Sequence, residues 1–132
     1  MLYHYTCDHG RKGIGLTGWL NPVEGLAGPL VWLTDMDQPD RLALGLTSHL
    51  LACDRLDYRY QVRAEMEVEH WPTSLVRARA PELAVMMLES VAGVDPRRWF
   101  VTRRRQFGTL DRRYINAAPV TAGLRVEYSH RR

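Results

Sequence analysis

Between Arg55 and Trp71 apolar and polar residues take turns along the chain. Tyr58, Tyr60, Val62, Ala64, Met66 and Val68 alternate with Arg59, Gln61, Arg63, Glu65, Glu67 and Glu69. A strand sends successive side chains to opposite faces, so this period of two demands a strand with one buried and one wet face. Such strands belong to antiparallel sheets, because the strands of parallel sheets are covered on both sides and read as unbroken apolar runs. The stretch is long for one straight strand. A bend or break is expected near Ala64 and Glu65, and Pro72 ends the run.

The remaining elements fit round that strand. Leu2 to Thr6 reads as a first strand, with Tyr3 and Tyr5 on one face and Leu2, His4 and Thr6 on the other. Asp8 is placed to cap a short, glycine-weakened helical turn that buries Ile14. Asn21 to Pro29 reads as irregular, and Leu30 to Thr34 as a strand buried on both faces. After Asp37, Gln38 and Pro39, the leucines at 42, 46 and 50 predict a helix over Arg41 to Leu51, which Gly45 weakens. Pro81 opens a further helix to about Ala92, with Gly93 as its stop and Leu83, Met86, Met87 and Val91 as its core face. Trp99 to Thr102 and Leu124 to Tyr128 read as strands, and Gln106 to Ala122 shows no clear pattern. This mixed order predicts a single α+β domain over residues 1–132, mainly antiparallel, with flanking helices.

Composition narrows the classes. The 132 residues suit one domain, and a hydrophobic fraction of 45% is that of a globular chain. No apolar run is long enough to span a bilayer, no basic-then-apolar leader is visible, and two cysteines make no disulfide framework. A cytoplasmic protein without a membrane partner is the expectation. The net charge is +3, carried almost wholly by arginine. Arginine suits bidentate contact with phosphate or carboxylate.

The first and second strands carry the most specific signal when taken together. Tyr3-His4-Tyr5-Thr6 is followed by Gly13-Ile14, by Leu20-Asn21-Pro22, and by Val31-Trp32-Leu33-Thr34-Asp35. This succession, over about residues 2 to 40, resembles the small bacterial and phage members of the ADP-ribosyltransferase superfamily. The resemblance implies split, mainly antiparallel sheets with NAD bound in a cleft between them. It implies a cofactor-binding set of His4, Tyr5, Thr6, Trp32 and Thr34, with His4 on the ribose or adenosine side. Trp32 stands where a tyrosine is expected, packing on the nicotinamide ring without a hydroxyl to offer. The activity implied is transfer of ADP-ribose from NAD to a protein or nucleic-acid acceptor.

Cleavage of the nicotinamide–ribose bond builds an oxocarbenium-like cation, which a nearby carboxylate stabilises. Glu127 is the first candidate for that catalytic acid, followed by Glu65, Glu67 and Glu69, then Asp35. The same fold would also suit an RNA 2'-phosphotransferase, an NAD glycohydrolase, or a catalytically silent module that grips nucleic acid or protein. The ordinary role of a histidine such as His4 is a core side chain bonded to a backbone carbonyl, and that of Trp32 is a core ring.

Two further sets have weaker patterns. His4, Cys7 and His9 are metal-ligand types, but a four-ligand site would need His49 and Cys53 to converge on them. Arg97, Arg98, Arg103, Arg104, Arg105, Arg112 and Arg113 are interleaved with Trp99, Phe100, Phe107 and Tyr114, a mixture suited to phosphates and stacked bases. No Walker loop, dinucleotide-binding glycine fingerprint or catalytic triad is present.

Overall fold

A computed structural model describes residues 1–15, 17–46, 54–63, 67–117 and 119. Its elements are β1 (Leu2–Thr6), α1 (Asp8–Ile14), β2 (Trp19–Leu20), β3 (Val31–Thr34), β4 (Tyr58–Val62), β5 (Glu69–His70), α2 (Leu75–Arg79), α3 (Glu82–Glu89), β6 (Trp99–Thr102) and β7 (Gln106–Leu110). Short 3-10 turns at Trp71–Thr73 and Pro96–Arg98 introduce α2 and β6. The fold is α+β. The described strands form one curled antiparallel sheet in the order β2-β7-β4-β1-β3-β6-β5.

β1 lies at the middle of that order. It pairs along its whole length with β4, from Leu2 opposite Val62 to Thr6 opposite Tyr58. With β3 it shares the single pair Tyr3 opposite Thr34. The alternation forecast for the long strand holds over β4, where Tyr60 and Val62 are buried and Arg59 and Gln61 are not. The strand stops at Val62 and resumes at Glu69, with Glu67 at φ 75° between them.

Each face of the sheet has its own core. On one face Leu2, Val31, Leu33, Tyr60 and Val62 pack with Leu20 and with Ile14 of α1. On the other face, over β3 and β6, Trp32 joins Trp71, Trp99, Val101 and Val76. Ring centroids of Trp32 lie 5.0 Å from Trp71 and 5.7 Å from Trp99. The indole nitrogens find partners, as buried indoles must: Trp71 donates to Glu89 at 2.6 Å and Trp99 to the Ala43 carbonyl at 2.9 Å. Arg77 of α2 also grips Glu89, which ties both helices to the tryptophan cluster.

Three expectations need correction. Residues 41–45 form turns instead of the start of a helix. The Asp40 carboxylate accepts the N–H groups of Leu42 and Ala43, and Gly45 sits at φ 68°. The remainder of that forecast helix, with Leu50, lies outside the described residues. α3 is present, but turned: Ala84 is buried, Val85 and Leu88 pack on the tryptophans, and Leu83 and Met86 are 62% and 57% exposed. Glu-Leu-Ala-Val-Met-Met-Leu-Glu is apolar on most sides, so the pattern does not decide which side the core takes. Lastly, β7 and the two-residue β2 arise where no strand was forecast. The forecast strand Leu124 to Tyr128 lies outside the described residues.

The orientation of α3 is directly measurable. Leu83→Gln should shift the stability of the chain by no more than about 0.5 kcal/mol in urea unfolding. Trp71→Ala should cost about 3–5 kcal/mol. A large loss from Leu83→Gln would restore the face forecast from the sequence.

Candidate functional site

The seam between β1 and β3 is where the sheet's ladder thins to one pair. A buried backbone carbonyl needs a donor. The Trp32 carbonyl, next along from the last pair, receives it from a side chain: His4 Nδ1 lies 2.9 Å away. A carbonyl only accepts, so Nδ1 carries the proton and Nε2 keeps its lone pair. Burial pushes the His4 pKa below its ordinary 6.5, and the bond to Trp32 offsets this only in part. At neutral pH the ring is therefore uncharged, fixed in one tautomer, and able to accept a hydroxyl hydrogen at Nε2.

The other residues expected at a nucleotide site fall into two groups. Thr6 shares the His4 face and is buried under α1. A Cβ at Gly10 would lie 1.8 Å from the Thr6 hydroxyl, so α1 can approach this closely only with glycine there. Tyr5, Trp32 and Thr34 belong to the opposite face, by the pairing of Tyr3 with Thr34. The Thr34 hydroxyl accepts the Met36 N–H at 3.1 Å, shaping the turn after β3. His4 and Trp32 meet through the Trp32 backbone, while its half-buried indole packs against the two other tryptophans.

Of the acids considered, Glu127 and Glu65 lie outside the described residues. Glu67 pairs with Arg104, Glu69 accepts the Leu75 N–H at 2.9 Å, and Asp35 pairs with Arg98 at 2.7 Å. Among the described residues no group of three metal-ligating side chains occurs, and His49 and Cys53 lie outside them. Cys7 is buried.

Sequence reasoning overlooked Arg59. It rises from β4 between Tyr3 and Tyr114, with its guanidinium 4.6 Å and 4.9 Å from their ring centroids. Two of its nitrogens hold Asp111 Oδ2, at 3.0 Å and 2.6 Å. A third donates to the Asp37 carbonyl at 2.9 Å and contacts the Tyr5 hydroxyl at 3.4 Å. Gln61 donates to the same Asp111 oxygen. Arg59 first, with Gln61, holds the Asp111 carboxyl below the usual carboxylate range. Burial first, then the neighbouring Tyr5, pushes the Tyr114 phenol up to about 12. An open cleft of ≈ 230 Å³ adjoins this cluster, lined in part by Arg59, Arg113 and Tyr114. The period of two places Arg59 on the wet face of β4, but the β1–β4 register brings it to Tyr3 and Tyr5, and Asp111 and Tyr114 come from the stretch without a pattern.

The arginine set divides likewise. Arg97, Arg98 and Arg104 are paired with Asp95, Asp35 and Glu67. Trp99 is core, and Phe100 stacks on His70 with centroids 4.8 Å apart. Phe107 stands exposed beside Trp19. Comparison of the chain with protein-family models, with curated proteins and with solved structures finds no match.

Two measurements check this site. Since folding lowers the His4 pKa, the unfolded chain binds the extra proton first, and His4's contribution to stability is lost as pH falls from about 6.5 toward the folded value. His4→Asn keeps a donor for Trp32 and cannot titrate. Urea unfolding at pH 7.5 and pH 5.5 should therefore show a smaller pH loss in this variant than in the parent. Asp111→Ala should cost about 2 kcal/mol, because Arg59 loses two charge-assisted bonds in a half-buried setting.

Proposed function

We propose that the chain binds NAD at the seam between β1 and β3 and transfers ADP-ribose from it to a macromolecular acceptor. The observation that carries this reading is the neutral imidazole of His4, held by the Trp32 carbonyl where the β1–β3 ladder ends. Its Nε2 suits a ribose hydroxyl, which donates to it, and does not suit a role as cationic acid. The ordered succession from Tyr3 to Asp35, which resembles the ADP-ribosyltransferase superfamily, supports the same reading.

In the reaction, the bond between ribose C1' and the nicotinamide nitrogen breaks and nicotinamide leaves with the bonding electrons. The acceptor's nucleophile bonds to C1' and gives up its proton. A carboxylate beside the ribose stabilises the cation-like transition state more than the ground state. Glu127 is our proposed source of it, since Glu67, Glu69 and Asp35 already serve structural contacts. In this reading the Trp32 carbonyl orients His4, and the indole holds the strand against Trp71 and Trp99.

A second reading is a silent module of the same fold. The occupied carboxylates favour it, as does His4's bond to a backbone carbonyl, which is the ordinary structural use of such a residue. Calorimetry with NAD and an assay of nicotinamide release separate the two. Transfer chemistry requires NAD binding, with affinity weakened about tenfold in His4→Asn, which keeps the Trp32 bond and loses the Nε2 acceptor. It also requires nicotinamide release that Glu127→Gln abolishes. A folded protein that neither binds NAD nor releases nicotinamide is the silent module.

A further inference from the structure

We infer that the face of the sheet carrying Trp19, Phe107 and Tyr3, over strands β2, β7, β4 and β1, is a platform for single-stranded nucleic acid. The inference stands on residues apart from His4 and does not need the NAD reading.

Strand register puts these side chains on one surface. Trp19 is opposite Phe107, Thr109 is opposite Gln61, and Gln61 is opposite Tyr3. Residues opposite each other in an antiparallel ladder point to the same side, as do residues two apart on one strand. The reverse side of the same strands is the core under α1, so the surface is rigid. Phe107 is 56% exposed, and its ring meets Trp19 edge-on with centroids 5.5 Å apart. Phe107 and Tyr3 are separated by two strand spacings across the sheet and two residues along it, about 12 Å in all. Phe107 stands open, while Tyr3 and Trp19 carry the Arg59 and Arg105 guanidiniums on their rings, a surface of aromatic and guanidinium planes that suits unstacked bases laid side by side.

The charges fit the same ligand. β7 has Arg103 and Arg105 before it and Arg112 and Arg113 after it, all exposed. None of the four has a carboxylate partner among the described residues, whereas Arg97, Arg98 and Arg104 do. Arg105 is held over the Trp19 ring at 4.2 Å, which presents a flat cation on top of an aromatic. Asp111, which reaches Arg59 and Gln61 on this face, is neutralised by Arg59. Aromatics bracketed by unpaired guanidiniums match a chain of bases strung on phosphates. They do not match a duplex, whose bases are closed to stacking.

Fluorescence anisotropy without NAD tests this, using a labelled ten-nucleotide oligouridine, the matching oligothymidine and a ten-pair DNA duplex. Salt-dependent binding to either single strand should exceed that to the duplex, and the two single-stranded arms tell RNA from DNA. Phe107→Ala should weaken single-strand binding at least about fivefold, and Phe107→Tyr should keep it. The double change Arg103→Gln with Arg105→Gln should flatten the dependence on salt. Equal affinity for Phe107→Ala and the parent, preference for the duplex, or no binding at 50 mM salt would each overturn the inference. Phe107 is exposed, so its removal leaves the fold intact, which circular dichroism checks. NAD binding alongside any of these outcomes would leave the proposal for the seam standing.

Discussion

One donor meets one carbonyl at the centre of the sheet, and both halves depend on the arrangement. β1 is bonded along its full length to β4, while on its other side the ladder is reduced to Tyr3 with Thr34. A seam of that kind leaves backbone groups short of partners, and leaving them buried and unpaired is costly. The His4 imidazole donates to the Trp32 carbonyl across it. Charging the ring would mean burying a cation, so the same bond that closes the seam favours the uncharged form.

Two cores of different character pack on opposite faces of the sheet, the aliphatic one crossing the seam through Val31 and Leu33. Small helix α1 covers aliphatic residues and Tyr60 on one face. Three tryptophans fill the other, and each polar end of the two buried indoles is anchored, Trp71 to Glu89 and Trp99 to Ala43. Glu89 serves Trp71 and Arg77 together, so a single carboxylate fastens α2 and α3 to the tryptophan core. The surface left over, on the β2-β7-β4-β1 half, is where aromatic and guanidinium groups remain available to solvent.

How far the sequence discloses this depends on whether a residue's neighbours are near it in the chain. β1, β3, β4 and β6 are legible, because each carries its own period or apolar run. α1 is legible as a short helix that buries Ile14, but Asp8 lies inside its first turn instead of capping it, and Cys7 takes the cap position without a side-chain bond. β7 is not: its inward residues are Gln106, Gly108 and Leu110, and Gly108 is small because Tyr60 and Leu20 occupy the space a side chain would need. The volume that would mark it as a strand is supplied by other segments. α3 is legible as a helix but not in its orientation, since two apolar stripes compete and only the tryptophans choose. At the site, the tie between His4 and Trp32 follows from the two strands being neighbours, and their opposite faces follow from a register no local pattern encodes. The Arg59 cluster depends on Asp111 and Tyr114, whose stretch has no period at all.

The central position of β1 has a consequence for the order of events as the chain is made. Its five residues emerge before both of their partners, and the β4 partners come some fifty residues later. Until then β1 is an apolar and aromatic strand with one edge wholly open and the other met only by the single pair with β3, the kind of segment that pairs with whatever strand it meets. The closing contacts join distant parts of the chain, and loop closure must come before they give any return. The sheet therefore cannot be built outward from its first strand during synthesis. It closes around that strand late, and a nascent chain halted before Tyr58 holds its future centre exposed.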